Sequence, residues 1–409
     1  MAKLTAIVGE RRGKGHGECF IWEPERKNAA VAAIDAGATS DVGQCGGSYS
    51  PEVLVLSHDD DDHIGGALSL MAAAKRTLKE LWVPAEWMLL LDQLNRTADS
   101  RDSPLGLEGR NITVRAAEQM VAASFARDVA GEPGRGIDLV AIVDGAGAYL
   151  DRLGGTLRAD RADLDVPATV AWPGDGRMFG AKTVNEVAKR VAARAGALHA
   201  ILAAALKASL RVRFFSIDYA ITQASTPWLN DGDPGNLTIA NAAEVWGFIP
   251  VLPIGLQVAY ALGQLTVQNR RALCTLAWDQ STSPCGGALV WSDSAGDWVA
   301  ELPTIRATLG DLAVSSAPHH GSAGIAHRAA WQELASHLAA GKPVVSAGGQ
   351  HNQGYSGDYL GIARTSRGCT RCRGKHAIVH PVRDVSARIG SGVATLLQDD
   401  SRCAGCSGH

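Results

Sequence analysis

Short apolar runs that end in glycine, aspartate or histidine occupy both ends of the chain. The clearest covers residues 52–56, a continuous apolar run of the kind found in strands that are covered on both faces. It leads directly into a polar loop that begins at Ser57. Similar runs predict further strands at residues 18–22, 29–34, 81–84, 212–216, 273–278, 288–291, 313–316 and 343–346.

The middle of the chain follows a helical pattern instead. Residues 88–210 contain Ala-rich segments at 116–129, 184–195 and 198–210, separated by loops rich in Gly, Asp and Pro. This region is either an insertion over the core or a helical layer of it. Strands on both sides of helices predict an α/β fold in which two sheets form a sandwich with helices outside. We expect a main domain over residues 1–363 and a small Cys-rich appendage over residues 364–409.

The composition narrows the functional classes. With 46% hydrophobic and 20% charged residues, the chain has the balance of a soluble globular protein. The formal net charge of −3 excludes a globally basic nucleic-acid binder, although it is compatible with a local basic groove. No run approaches the ~20 apolar residues of a membrane span, and the N-terminus lacks the apolar stretch of a signal peptide. We expect a cytoplasmic protein with no membrane partner.

The loop at residues 58–63 consists of His58, four consecutive aspartates and His63. A solvated acidic turn is the common explanation for a run of aspartates. Here histidines bracket the acids, and the loop projects from the end of a buried strand, where functional sites are usually built. Adjacent carboxylates also repel one another by ~1 kcal/mol or more per close pair in water unless a cation neutralises them. The loop therefore predicts a metal site.

Two later strands also end in residue types that bind metals. Ser292 and Asp293 follow the run at 288–291, and Ala317-Pro318-His319-His320-Gly321-Ser322 follows the run at 313–316. Each signal is weak alone, because a strand-end aspartate is commonly a cap and paired histidines are commonly surface residues. Three such clusters in one chain favour a single composite site.

The order of these motifs resembles the metallo-β-lactamase fold. It runs from Ser-His-x-Asp-x-Asp-His-Ile-Gly-Gly at 57–66, through Asp293, to Pro-His-His-Gly-Ser at 318–322. Within that fold, the chain is most similar to the soluble hydrolase domain of the competence-type DNA-internalisation proteins. Segments 15–18, 34–37 and 345–349 resemble a glycine turn, a strand end and a late strand of the same branch. The resemblance covers about residues 5–360 without the middle region, and it implies an αββα two-sheet sandwich.

The resemblance also implies two metal positions that share one carboxylate. The implied ligands are His58 and Asp60 for the first metal, Asp62, His63 and His320 for the second, and Asp293 as the bridge.

The paired histidines divide their roles in this resemblance. His319 would face the substrate as an oxyanion stabiliser or a general acid, and His320 would bind metal, although the two could exchange these roles. Asp62 and His319 are the predicted catalytic residues. Ser322 and His351 are the predicted substrate-binding residues.

Two departures from the fold's common pattern affect the metal. The common loop is His-x-His-x-Asp-His, and Asp60 replaces the second histidine, which makes manganese a competitor to zinc. Between Ile64 and Asp293 the only histidine is His199, in an Ala/Leu-rich helical segment where packing is the commoner role. We therefore expect one or two divalent metals, Zn or Mn, with the first position only half-built.

The implied chemistry is hydrolysis by a metal-bound hydroxide, since a cation lowers the pKa of bound water from about 16 to about 7. The resemblance favours a phosphodiesterase or nuclease whose substrate is a nucleic acid or a small phosphodiester, working alone or with a separately encoded protein partner. Two alternatives stay open: a small-molecule ester, lactone or amide hydrolase of the same fold, and a non-catalytic metal-containing interaction scaffold.

Four of the eight cysteines form two C-x-x-C pairs near the C-terminus, Cys369 with Cys372 and Cys403 with Cys406. Two such pairs can hold a structural Zn²⁺ tetrahedrally, with a redox pair as the alternative. The basic residues between 364 and 375 form either a phosphate-contacting patch or a solvated charged surface. We predict a structural zinc site in this tail.

Overall fold

The chain divides into two compact units, the first made of Met1–Pro84, Leu210–Glu244 and Gln268–His409 and the second of Ala85–Ser209 and Val245–Val267. The structure is a computed structural model. It describes residues 1–7, 17–98, 135–136, 139–144, 146, 169–171, 178–180, 195–222, 234–245, 248–249, 272–279, 286–302, 311–322, 327–347, 355–370, 384–390 and 393–397.

The described strands are short, and most of them are buried. In chain order they are β1 (Ala2–Ala6), β2 (Phe20–Glu23), β3 (Ala32–Ile34), β4 (Val53–Val55), β5 (Glu80–Pro84), β6 (Arg135–Gly136), β7 (Thr169–Ala171), β8 (Met178–Gly180), β9 (Arg211–Ser216), β10 (Leu237–Ile239), β11 (Ala243–Glu244), β12 (Phe248–Ile249), β13 (Thr275–Ala277), β14 (Ala288–Val290), β15 (Val314–Ser316), β16 (Val344–Ser346), β17 (Arg367–Cys369), β18 (Val385–Gly390) and β19 (Val393–Leu397).

The first unit contains a nine-stranded sheet with the order β11-β9-β5-β4-β3-β2-β1-β18-β19. Its centre is parallel, and Val55 of β4 lies opposite Ile34 of β3 and Trp82 of β5. The apolar residues of β4 suit this position because both faces of a central parallel strand are covered. On one side the strands β2, β1, β18 and β19 continue the sheet in antiparallel fashion.

A second sheet of the same unit has the order β10-β13-β14-β15-β16-β17. Strands β14 to β17 are parallel, whereas β13 is antiparallel to β14. One buried cluster includes Leu4 and Trp82 of the first sheet and Leu276 and Leu289 of the second. The predicted α/β class is confirmed: two mixed sheets share a core, an arrangement compatible with a two-sheet sandwich.

Helices form part of several connections between the strands. The helices with defined ends are α1 (Ser40–Ser48), α2 (Asp61–Ile64), α3 (Ala67–Ala73), α4 (Ala85–Ala98), α5 (Ile217–Thr222), α6 (Arg328–Glu333), α7 (Ala335–Ala339) and α8 (Gly357–Gly361). Helix α1 lies directly against α3, and a Cβ on Gly47 would be only 2.5 Å from the Cβ of Ala73. The missing side chain at Gly47 therefore permits the close approach of the two helices.

The second unit contains α4, the strand pairs β6–β12 and β7–β8, and a helix over residues 195–207. His199 lies in this last helix with its Nε2 3.0 Å from the carbonyl oxygen of Val143. Most of the insertion predicted at 88–210 falls in this unit, but the predicted helix at 116–129 and nearly all of that at 184–195 lie outside the described residues. Among the described helices, none has both the length and the apolar character needed to cross a membrane.

The C-terminal region contributes strands to both sheets where it is described. Strand β17 pairs with β16 in the second sheet, and β18 pairs with β1 in the first. These parts of residues 364–409 therefore belong to the sheets and not to a separate appendage. The reason is visible in β18, where Val385, Ala387 and Ile389 alternate with polar residues and are buried on one face.

Candidate metal centre

Four strand ends meet at one polar cluster. Asp35 follows β3 and the 58–63 loop follows β4, while Asp293 follows β14 and His320 follows β15. In each sheet the two strands are parallel neighbours, so their carboxyl ends lie at the same edge. The fold thus brings four segments that are far apart in sequence to one place.

Backbone contacts fix the 58–63 loop against the segment before β2 and the segment after β3. The N–H of Glu18 donates to the carbonyl of Asp62 at 2.7 Å, and the N–H of Ala36 donates to the carbonyl of His63 at 2.7 Å. Gly17 has a φ of 68°, and a Cβ there would lie 2.0 Å from the Asp62 carbonyl oxygen. Only glycine satisfies both conditions, so the position of the loop is set by the backbone as well as by side chains.

Asp35 is buried at the centre of this arrangement. Its carboxylate accepts hydrogen bonds from the Ser57 N–H at 2.7 Å, from the Ser57 and Ser292 hydroxyls at 2.8 Å each, and from Nδ1 of His63 at 2.8 Å. Because a carboxylate only accepts, His63 carries its proton on Nδ1. When His63 is neutral, the lone pair of its Nε2 is directed to the other side of the ring, where Asp293 Oδ1 lies 3.6 Å away.

The Ser57 hydroxyl orients His58 in the same way. It has one hydrogen and gives it to Asp35, so its oxygen accepts from Nδ1 of His58 at 2.9 Å. Nε2 of His58 faces Oδ2 of Asp60 at 3.6 Å and Oδ2 of Asp293 at 3.8 Å. Nε2 of His58 and Nε2 of His63 are buried and lack a partner within hydrogen-bonding distance among the described residues.

His320 contributes a third inward-facing nitrogen. Its Nδ1 lies 2.8 Å from the carbonyl oxygen of Ala347 and 3.1 Å from Oε2 of Glu18. Its Nε2 lies 3.3 Å from Oδ1 of Asp293 and 3.3 Å from Oδ2 of Asp62. Two acceptors at Nδ1 favour a proton there, so in neutral His320 the Nε2 lone pair also faces the carboxylates.

His319 occupies the open side of the cluster. Its side chain is 16% exposed, and its Nε2 lies 3.3 Å from Oδ2 of Asp293. Its Nδ1 is hydrogen-bonded to the Ser322 hydroxyl, and its ring stacks on that of His327 with centroids 4.0 Å apart. His319 is therefore held in place while it stays accessible to solvent.

These side chains can hold a divalent cation. In each candidate group the ligand atoms lie within 4.8 Å of one another, and the groups are His58 with His63 and Asp293, Asp62 with His63 and His320, Glu18 with Asp293 and His320, and Glu18 with Asp35 and His63. A mixture of imidazole and carboxylate ligands suits zinc or manganese. The buried Nε2 atoms of His58 and His63, which lack hydrogen-bond partners within the described part of the chain, fit such a cation.

The electrostatics of the cluster favour positive charge at its centre. Burial alone would raise the pKa of Asp293, but the imidazoles of His320 and His63 hold it well below its ordinary value. Burial would lower the pKa of His63, yet the carboxylates of Asp35 and Asp293 raise it well above 6.5. Desolvation likewise opposes the charge on His320, whose pKa is nevertheless raised by Asp293, Asp62 and Glu18. The carboxylates thus stabilise a cation among them, whether imidazolium or metal.

Most of the predicted site residues meet here. His351 lies outside the described residues, as do Cys372, Cys403 and Cys406. The structure brings together His58, Asp60, Asp62, His63, Asp293, His319, His320 and Ser322.

Several residues of the cluster were missed by the sequence reasoning. Asp35 offers the same signal as the metal loop, an acid directly after an apolar strand, and could have been found. In the sequence, Glu18 is visible only as part of a glycine turn and Ser292 only as part of a strand end, because their contacts with the cluster arise when distant strands come together. His327 stacks on His319, and nothing in the sequence marks that contact.

The predictions for the C-terminal region can be compared with the structure at Arg367 and Cys369. Arg367, expected on a phosphate-contacting or solvated surface, is instead buried, and its guanidinium donates to the carbonyls of Tyr359 and Leu360 at 3.3 and 2.7 Å. Cys369 is buried at the end of β17, with its Sγ 2.9 Å from the Tyr355 hydroxyl. Its role as a zinc ligand stays a prediction.

Comparisons of the chain with protein-family models, with curated proteins and with solved structures found no match.

Proposed function

We propose that this protein is a metal-dependent hydrolase of the metallo-β-lactamase type, and that phosphodiesters are its substrates. The observation that carries the proposal is the convergence of buried Nε2 atoms from His58, His63 and His320 on the carboxylate of Asp293. A solvated acidic turn would not need three oriented imidazoles or a buried carboxylate. The two mixed sheets, with the cluster at the carboxyl ends of their parallel strands, support the same fold.

The proposed ligands divide between two positions that share Asp293. His58 and Asp60 would serve the first position, with Nε2 and Oδ2 3.6 Å apart. Asp62, His63 and His320 would serve the second. When bound, a divalent cation supplies a nucleophile by lowering the pKa of water and polarises the oxygen of the bond to be cleaved.

His319 is the proposed general acid. The Ser322 hydroxyl contacts its Nδ1. A histidine acts as a general acid in its imidazolium form, in which Nδ1 donates to the Ser322 hydroxyl oxygen and Nε2 carries the proton to be transferred. That nitrogen faces the carboxylate of Asp293 and is partly open to solvent. His319 is thus placed to donate a proton to a leaving oxygen, and Ser322 keeps the ring in the required orientation.

The charge of the cluster bears on the substrate. Two divalent cations outweigh the three proposed ligand carboxylates of Asp60, Asp62 and Asp293 by one charge, whereas one cation does not. Filling both positions therefore favours an anionic phosphodiester more than filling one. Arg367 does not contribute to a phosphate-binding surface, since its side chain is buried.

Metal analysis combined with a substrate panel tests the proposal. The panel contains single-stranded DNA, plasmid DNA, RNA, bis(p-nitrophenyl) phosphate and p-nitrophenyl acetate. We expect bound Zn or Mn and metal-dependent cleavage of at least one phosphodiester, lost by about 100-fold or more in Asp293→Asn. Asp279→Asn is the matched control, because its carboxylate accepts from the N–H groups of Glu25 and Arg26 at the surface.

The outcomes separate the alternatives. Cleavage of p-nitrophenyl acetate alone would replace the phosphodiester by a small-molecule ester substrate. A wild-type protein that binds no metal, or one whose metal content is unchanged by Asp293→Asn, would contradict the proposed metal centre. Metal binding without any hydrolysis would indicate an interaction scaffold.

A further inference from the structure

Glu18 is a buried carboxylate that the proposed ligand set does not use. It lies just before β2 with no exposed surface. Its backbone is fixed on both sides, because its N–H donates to the Asp62 carbonyl at 2.7 Å and its own carbonyl accepts from the Gly37 N–H at 2.8 Å. The side chain therefore enters the cluster from a rigid position.

The carboxylate of Glu18 lies behind His320 as seen from the carboxylate cluster. Oε2 is 3.1 Å from Nδ1 of His320, while Nε2 on the opposite edge of the ring is 3.3 Å from Asp293. Within the described part of the chain, His320 is the only basic group at ion-pair distance from Glu18. An isolated buried carboxylate is costly, so its presence points to a compensating positive charge on or beyond that imidazole.

We propose that Glu18 is a positioning residue. It holds His320 in its metal-binding orientation and makes Nε2 of His320 a stronger metal ligand. This inference rests on the proposed metal centre. A carboxylate at Nδ1 fixes the tautomer of a ligating histidine and raises the basicity of its other nitrogen, and loss of such a partner typically lowers metal affinity 10–100-fold. The hydrogen bond at Nδ1 goes to the neutral carbonyl of Ala347, so this carbonyl fixes the ring. Glu18, whose oxygens have no hydrogen-bond partner among the described residues, adds the negative charge at 3.1 Å.

Cobalt titration of purified protein tests the assignment without measuring hydrolysis. Co²⁺ reports both affinity and ligand geometry through its visible absorption bands. We expect Glu18→Gln to weaken Co²⁺ binding about 10–100-fold and to shift those bands, and Glu18→Asp, which keeps the charge, to recover part of the affinity. His320→Ala provides the spectrum of a lost ligand.

The matched control is Glu52→Gln, which makes the same chemical change in a partly exposed carboxylate paired with Lys79. We expect it to leave the cobalt affinity and spectrum unchanged. Circular dichroism and thermal unfolding of each metal-free variant establish that it is folded. If Glu18→Gln does not fold, Glu18→Asp is compared with wild type instead. A cobalt affinity of Glu18→Asp between those of wild type and His320→Ala supports the proposal. Wild-type cobalt affinity with a wild-type spectrum overturns it.

Other outcomes also decide the point. A folded Glu18→Gln with wild-type affinity and spectrum would reduce Glu18 to a packing residue. Loss of one bound Co²⁺ per chain in both Glu18→Gln and His320→Ala would make Glu18 a direct ligand and overturn the positioning role. If wild type binds cobalt but cleaves no phosphodiester, the proposed function fails while the Glu18 assignment stands or falls on the titration.

Discussion

Replacing Asp35 by asparagine should destabilise the first unit and weaken metal binding together. The carboxylate accepts one hydrogen bond at Oδ1 and three at Oδ2. An amide placed with its NH₂ at the Oδ1 position meets the Ser57 N–H, donor against donor. The opposite orientation would oppose three donors, so the first is the cheaper arrangement.

The size of the effect follows from those contacts. One hydrogen bond to a charged group, worth about 1.5–3 kcal/mol, is lost, and three others become neutral bonds of about 0.5–1.5 kcal/mol. Partial relaxation of the buried loop reduces the sum, and we expect a loss of about 3–5 kcal/mol in the free energy of unfolding. At about 2–4 °C per kcal/mol, the Tm should fall by about 6–20 °C.

Thermal unfolding and zinc competition with a chelator measure the two effects of Asp35→Asn. Zinc affinity should fall about 10–100-fold because His63 loses its anionic acceptor. Asp279→Asn is the control and should cost less than about 1 kcal/mol, since its partners can turn to water. An Asp35→Asn protein within about 1 kcal/mol of wild type, with unchanged zinc affinity, would refute the hydrogen-bond reasoning.

Three further predictions concern single side chains. His320→Ala should lower the zinc affinity at least about 10-fold. His319→Ala should keep the zinc affinity within a few-fold of wild type and lose hydrolysis. The reverse pattern of affinities in chelator competition would make His319 the ligand. Burial lowers the pKa of His337 to about 4 from 6.5, so its contribution of about 3 kcal/mol is present above pH 6.5 and lost as the pH falls towards 4. An NMR titration should find His337 neutral at about pH 5, and a midpoint above about 6 would contradict this. Burial raises the pKa of Cys274 to about 12, so iodoacetamide should modify it only after unfolding; rapid labelling of native protein, detected by mass spectrometry, would show that it is accessible.

The strand ends were predictable because both the apolar run and the polar residues after it are local features. The run at 52–56 places the metal loop, and the runs before Asp293 and His319 place the other two clusters. What the sequence could not supply is the set of contacts between them. The Ser292 hydroxyl reaches Asp35 across 257 positions of the chain, a contact created only when the two sheets face each other.

The surface position predicted for Arg367 was wrong for a related reason. A cluster of arginines and cysteines looks like a charged metal-binding tail, and Arg367 in particular looks like a surface residue. In the structure, backbone carbonyls of Tyr359 and Leu360 satisfy its guanidinium, so a strand can carry it into the interior. In the sequence, the apolar residues Val385, Ala387 and Ile389 alternate with Ser386 and Arg388, and this period of two predicts the strand in which the three are buried.

The groups that contact the Nδ1 atoms of His58, His63 and His320 differ in charge. Asp35 lies behind His63 and Glu18 behind His320, whereas the neutral Ser57 hydroxyl lies behind His58. A carboxylate at Nδ1 makes the opposite nitrogen a stronger ligand than a hydroxyl does. The second metal position therefore has two strengthened imidazoles, while the first has one ordinary imidazole.

This asymmetry predicts the order in which the proposed positions fill. A zinc or manganese titration should show a tight phase followed by a weak one. In His58→Ala the weak phase should disappear and the tight phase should stay within about threefold of wild type, whereas His63→Ala should remove the tight phase. Isothermal titration calorimetry on metal-free protein measures both. Two equivalents bound with one affinity, or a tight phase lost in His58→Ala, would show that the charge behind each histidine does not set its strength as a ligand.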